Sequence, residues 1–256
     1  MALFRNIVFT AALAGLLAGM LVTLMQHLST VPMILEAETF EVAEAALTPA
    51  TGAEHDHAAG AVHDHAGSGA SDPAGHVHDE SAWAPQDGFE RTAFTLVANV
   101  ITGVGFAMLL VAGYALRGQT IGWRQGLMWG MAGFAVFMLA PSLGLPPELP
   151  GMPAAPLGPR QLWWVLTAAS TAAGLALLAF RRTPLLAVVA IALLVAPHLV
   201  GAPQPIDTET LVPEGLHHRF VVAVTVTSFL FWAALGVLSA LLFERLGRDH
   251  APTPAH

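Results

Sequence analysis

Residues 7–25, IVFTAALAGLLAGMLVTLM, run for 19 positions without a charged side chain. That is close to the roughly 20 apolar residues a helix needs to cross a hydrocarbon layer about 30 Å thick. Further uncharged apolar runs follow at Thr92–Leu116, Gly126–Leu145, Leu162–Phe180, Thr183–Val200 and Phe220–Phe243. Hydrophobic residues make up 55% of the 256-residue chain and charged ones 11%, against about 25% charged in soluble domains. Mean hydropathy is +0.62. The expected fold is therefore all-α: a polytopic membrane protein with about six transmembrane helices. The weakest span is Thr183–Val200, which is short, opens near Pro184 and contains Pro197; without it five spans remain. A secretory signal peptide is the alternative reading of the first run, but its apolar core exceeds the usual ~7–15 residues and no small-residue cleavage site follows promptly.

The arginines orient this arrangement. With both termini inside, inner segments hold Arg5, Arg117, Arg124, Arg181, Arg182, Arg245 and Arg248, while outer segments hold Arg91, Arg160 and Arg219, as the positive-inside rule requires. Only Glu244 and Asp249 of the 18 acidic residues fall inside. The net charge of -8 is thus concentrated on the outer face, where it attracts cations. Expected boundaries are helix 1 over 3–28, an outer loop over 29–90, a membrane domain over 91–246 and an inner tail over 247–256. The expected location is a bacterial cytoplasmic (inner) membrane, since the Arg-only basic set and abundant Ala, Gly and Pro suggest a GC-rich bacterial genome.

The outer loop has two parts. Met33, Ile34, Leu35, Phe40 and Val42, interleaved with Glu36, Glu38, Glu41 and Glu44, have helical spacing and predict a short surface helix. From 48 to 86 the chain is Ala, Gly, Pro, Ser, His and acid, with Trp83 as its one aromatic. It cannot bury enough apolar surface to offset its ordering entropy, so a disordered segment is expected. Within it lie three His-x-His pairs, His55/His57, His63/His65 and His76/His78. In an extended segment residues i and i+2 project to one side, so both imidazoles of a pair can ligate one ion, with Asp56 or Asp64 assisting. Imidazole suits Zn, Cu, Fe, Ni and Co. Such a tract is a collector of divalent transition-metal ions without intrinsic preference among them.

Cysteine and lysine are absent. Disulfides and thiolate sites are excluded, as is a Walker-type phosphate loop, which requires Lys. No nucleophile–base arrangement is visible, so no enzyme is read, and neither a tightly bound cofactor nor a nucleic-acid partner is expected. Candidate ligands beside the bilayer are Glu36, Glu38, Glu148 and His198, with His27, His217 and His218 nearby. Glu148 lies in Pro146-Pro147-Glu148-Leu149-Pro150-Gly151, which cannot be regular helix. No Asp, Glu, Arg or His lies mid-span, so Asn99 is the best intramembrane candidate for lining a path, and the methionines read mostly as packing. Gly15/Gly19 and Gly122/Gly126/Gly130 place small residues four apart and predict close helix approach.

Several of these segments in order resemble one family. Phe4-Arg5 with Leu13-Ala14-Gly15-Leu16-Leu17-Ala18-Gly19, Ile34-Leu35-Glu36-Ala37-Glu38, the His-rich loop, Gly88-Phe89-Glu90-Arg91-Thr92, Leu145-Pro146-Pro147-Glu148-Leu149-Pro150-Gly151, Arg160-Gln161-Leu162-Trp163-Trp164 and Ala196-Pro197-His198-Leu199-Val200-Gly201-Ala202-Pro203 are similar to the CbtA family of predicted bacterial cobalt transporter subunits. The resemblance implies cobalt as substrate, a link to cobalamin-regulated genes and a small one-helix, histidine-containing partner, CbtB. That family is often described with five spans. The residues themselves leave cobalt and nickel undistinguished, and leave two functions open: a permease subunit that conducts the ion, or a membrane-anchored metal-binding or sensing protein that passes nickel or cobalt to a separate permease.

The arginine asymmetry makes a topology prediction. Reporter fusions after His65 and Pro205 should read extracytoplasmic, and fusions after Gly118, Arg182 and Arg248 cytoplasmic. A cytoplasmic signal at His65 overturns outer capture.

Overall fold

The computed structural model describes residues 2–47, 85–118, 120–181, 183–206 and 208–248. Among these residues the chain is helical, with no strand. The elements are α1 (Ala2–Leu28), α2 (Thr30–Leu47), α3 (Phe89–Arg117), α4 (Trp123–Phe134), a π-helical turn (Ala135–Leu139), α5 (Ala140–Ser142), α6 (Leu157–Phe180), α7 (Pro184–Val200) and α8 (Glu214–Arg248). Four of them, α1, α3, α6 and α8, are long and apolar enough to cross a membrane, and α7 is a shorter apolar helix. Large apolar side chains such as Leu24, Ile101, Leu109, Leu166 and Val188 point outward, as in a polytopic bundle whose solvent is lipid. The His-rich pairs lie outside the described residues.

Close backbone approach holds the bundle together. A Cβ built on Gly15 would sit 2.3 Å from the backbone nitrogen of Val104, and one on Gly19 would sit 2.7 Å from Cα of Val100, so α1 and α3 touch backbone to backbone. α4 meets α8 in the same way. A Cβ on Gly130 would lie 2.3 Å from the carbonyl oxygen of Trp232, and one on Gly126 would lie 2.4 Å from that of Gly236. Gly122, grouped with these in the sequence pattern, has open space beside it. It precedes α4, and its N–H donates to Oε1 of Gln125 at 3.1 Å. Between the seams sits an aromatic wedge in which Phe137 stacks on Trp232 at 5.6 Å and Phe106 packs against the same indole at 4.7 Å.

Residues 123–142 form one helical run broken by the π-helical turn. Its cause is Pro141, which lacks the N–H that would bond the carbonyl of Phe137 and whose ring crowds that carbonyl. Widening the preceding turn relieves both. The segment after α1 also departs from the sequence expectation. α2 begins one residue past α1 and is docked, not merely laid on the surface. Its Ala37 is fully buried in a cluster with Leu149, Val212, Leu216 and Phe220. Pro32 is tolerated because it falls in the first turn, where backbone N–H groups have no helical partner. Ser29 turns the corner, its N–H and hydroxyl both donating to the carbonyl of Met25. The docked α2 gathers the loops after α5 and α7 at one end of the bundle: Thr210 donates to the carbonyl of Gly151 at 2.9 Å, and His217 Nε2 meets that of Pro147 at 3.2 Å. At the other end Asn6 donates to the carbonyl of Phe243.

The seams predict a sharp contrast. Gly130→Leu forces side-chain atoms into the α8 backbone, beyond the ~1–3 kcal/mol typical of overpacked cores, and should abolish recovery of monodisperse protein in detergent. Gly105→Ala, whose Cβ meets nothing within 4 Å, should leave the melting temperature unchanged or raise it, because a mid-helix Gly costs roughly 0.5–1 kcal/mol relative to Ala. Equal thermal stability of the two variants would refute the seam.

Candidate functional site

The α1–α3 seam determines what stands above it. Because Gly19 lies against Val100, the last turns of α1 run alongside the first turns of α3, and helical side chains lean towards their own N-terminus. Asn99 therefore reaches towards the end of α1, where its Nδ2 donates to Oε1 of Gln26 at 2.6 Å and to Oγ1 of Thr23 at 3.0 Å. These three residues floor a groove of about 430 Å³ between α1, α2 and α3, whose rim carries His27, Asp87 and Arg91.

The groove presents oxygen lone pairs. Four threonines line it, and each hydroxyl proton is committed to a carbonyl one turn back: Thr23 to Gly19 at 2.8 Å, Thr30 to Gln26 at 3.2 Å, Thr92 to Gly88 at 2.8 Å and Thr95 to Arg91 at 2.8 Å. A hydroxyl whose proton is so held offers only its acceptor side to a ligand. At the rim, Arg91 bonds Glu38 through both terminal nitrogens, at 2.5 and 3.3 Å, and Asp87 at 2.9 Å. Two carboxylates against one guanidinium leave one net negative charge there. Much of the wall is apolar, from Val31, Ile34, Leu35 and Ala98; the threonine acceptors and the excess carboxylate at the rim give the groove a preference for cations over anions.

The sequence-predicted ligands are dispersed over this end. Glu36 is exposed on α2. Glu38 is held by Arg91, and Glu148 is held by Arg160 at 2.9 Å. His198 sits edge-on to the indole of Trp163, ring centroids 6.0 Å apart. Among the described residues no three of His, Asp and Glu come together as a metal-holding group. His55, His57, His63, His65, His76 and His78 lie outside the described residues; Asp87 and Gly88, which line the groove, follow that stretch in the sequence. Asn99 lines the groove as well. Gln26 and Thr30 were missed by sequence reasoning. The signal was present in the spacing Thr23, Gln26, His27, Thr30, which puts polar groups on one helical face at i, i+3, i+4 and i+7. The methionines divide between the core (Met131, Met138) and the lipid-facing surface (Met20, Met108, Met128).

Comparison with curated proteins and with solved structures gives no match. A family model described as probable cobalt transporter subunit (CbtA) matches residues 4–244, nearly the whole chain. Polytopic helices and a cation-favouring groove at one end agree with that description, and the chain belongs to the CbtA family.

Proposed function

We propose that this chain is the membrane-embedded subunit through which a divalent transition-metal ion, cobalt before nickel, enters a bacterial cell across the inner membrane, and that its histidine pairs collect the ion on the outer side. The observation that carries this reading is the groove, with threonine acceptors under a rim of net negative charge, whose residues Asp87 and Gly88 follow the histidine-bearing stretch in the sequence. A six-crossing path with both termini inside accounts for the helix order: the α1–α2 corner and the loops after α5 and α7 meet at one end, and the arginine bias assigns that end to the outside. The helix containing the π-helical turn and α7 supply the two crossings beyond the four long helices.

Capture and passage then use different chemistry. Paired imidazoles at His55/His57, His63/His65 and His76/His78 hold a borderline divalent ion and raise its concentration at the groove. Glu36, exposed on α2, and His198, at the end of α7, are the outer groups best placed to engage the ion next. Glu38 and Glu148 must give up Arg91 or Arg160 before ligating a cation, and a charge-assisted pair resists that; only the cluster of Glu38, Asp87 and Arg91 keeps an excess negative charge to attract the ion. A small one-helix histidine-containing subunit of the CbtB kind completes the assembly, and any ATP coupling would need another subunit, because a lysine-free chain has no Walker-type loop.

Uptake of radiolabelled cobalt and nickel into cells lacking other importers, with and without this chain and its partner, tests the reading. Cobalt accumulation should require the chain; accumulation that proceeds through another permease whenever its gene is present would instead make this chain an accessory protein. Deleting Glu54–His78 should raise the half-saturating cobalt concentration several-fold and leave maximal flux within about twofold, because a collector raises local concentration without forming the path. Lowering the external pH through the imidazole range near ~6.5 should reproduce that deletion, because protonated imidazole cannot ligate a cation. The reverse pattern, lost maximal flux with unchanged half-saturation, would make the histidines part of the path. His198→Ala, or Glu36→Gln with Glu38→Gln, should lower flux even at saturating metal, the second also leaving Arg91 opposed only by Asp87. Wild-type flux in both would exclude these residues from the path.

A further inference from the structure

Two buried hydroxyls of α6 stand apart from the other polar groups of the bundle. Thr167 is fully buried and Thr171 is 3% exposed, and among the described residues neither Oγ1 has a hydrogen-bond partner. Thr23, Thr92, Thr95 and Thr225 each donate to the carbonyl one turn back. For Thr171 that carbonyl belongs to Thr167, and its two lone pairs already serve the helix and the hydroxyl of Ser170, which donates to it at 3.0 Å.

The two hydroxyls lie between helices that prolines interrupt. One turn before Thr167, the Trp163 indole donates to the carbonyl of Pro197 at 3.3 Å. Three residues after Thr171, a Cβ on Gly174 would lie 3.0 Å from the carbonyl oxygen of Ala190. This face of α6 therefore rests on α7 between Ala190 and Pro197. On the adjoining face, Trp164 packs against Phe137 of the π-helical turn, ring centroids 6.3 Å apart. At about 100° per residue, Thr167 and Thr171 project between the directions of Trp163 and Trp164, and so between α7 and the π-helical turn. Pro197 supplies no N–H to the carbonyl of Leu193, and Pro141 supplies none to that of Phe137. Hydroxyls without acceptors thus stand between two segments whose carbonyls are short of donors.

We propose that Thr167 and Thr171 hold internal water, which accepts from the hydroxyls and donates to the carbonyls of the proline-interrupted helices. Distance is the first argument. Side chains at i and i+4 have Cβ atoms about 5–6 Å apart, and one water with two hydrogen bonds of about 2.8 Å spans that gap. Chemistry is the second. Residues 161–180 and 183–197 contain no ionisable side chain, so nothing there offsets the charge of an ion. A cation would also use the hydroxyl lone pairs and leave their protons unbonded, whereas water both accepts and donates. Inside a bilayer these groups have no bulk water to turn to, and a buried water making about three hydrogen bonds satisfies them together.

The inference stands apart from the transport reading, and its test needs no transport. Radiolytic hydroxyl footprinting of the protein in lipid nanodiscs generates radicals from bound water, which oxidise the side chains beside it. Leu194, whose Cγ would lie 3.0 Å from a Cβ on Gly174, should be oxidised in the wild type, whereas Trp232, 4% exposed within the aromatic wedge, should not. Thr167→Val with Thr171→Val keeps the shape and removes both hydroxyls; it should lower oxidation of Leu194 several-fold and lower the melting temperature. Thr167→Ser with Thr171→Ser, which keeps both hydroxyls, should retain the labelling. If the double valine variant fails to fold, Thr171→Val alone decides by the same labelling. Leu194 oxidation unchanged by valine would overturn the inference. So would a valine variant that melts above the wild type, the mark of hydroxyls that were dry and unpaired. A melting temperature that rises when sodium replaces choline in the wild type but not in the valine variant would assign the site to an ion and would equally overturn it.

Discussion

Helices in lipid gain nothing from hiding apolar surface from one another, because the surrounding chains are equally apolar. What remains is contact so close that dispersion and backbone dipoles act at short range. Here it is supplied where Gly15 and Gly19 admit α3 and where Gly126, Gly130 and Gly236 interlock α4 with α8. The position of every functional candidate at the α1–α3 end follows from the first of these seams. A slip of one residue along it would rotate Asn99 by about 100° and separate it from Gln26 and Thr23.

The proposed capture and passage call on two kinds of donor. Imidazole binds borderline divalent ions tightly and through few atoms, while amide and hydroxyl oxygens bind them weakly and through many. Carboxylates, which would bind strongly by charge, are neutralised by arginine at Glu38 and Glu148. The described residues thus hold Glu38, Asp87 and Glu148 in ion pairs and present threonine and amide oxygens in the groove, an arrangement suited to passage more than to storage.

The four long spans were legible because hydropathy depends on composition within a window, and residues such as Leu24, Leu109 and Leu166 are exposed on the bundle surface. The pairing of Glu38 with Arg91 joins residues 53 positions apart and had no local signature, so Glu38 read as a free ligand. Gln26 was overlooked for a related reason. An amide at the end of an apolar run looks like an interfacial residue until the fold brings Asn99 to it. Pro141 was visible, but whether a proline ends, kinks or widens a helix depends on what packs around it, here the Phe137–Trp232 stack. α2 read as a surface helix because its apolar residues are interrupted by Glu36, Glu38 and Glu41; only the loops around Leu149 and Val212 provide the partner that buries Ala37.

The helices differ greatly in reach. α7 has 17 residues and α8 has 35, which at 1.5 Å per residue gives about 26 Å and about 52 Å. Against a hydrocarbon layer of about 30 Å, α7 is short and α8 long, while α6 with its 24 residues matches at about 36 Å. Lipid must thin along one flank, and α8 must tilt or extend into the aqueous phase on the other. Such a protein is matched to membranes of a particular thickness. Because α8 also packs backbone to backbone on α4 through Gly126, Gly130 and Gly236, acyl-chain length would act on the tilt of that seam, making bilayer thickness a physical variable of the fold.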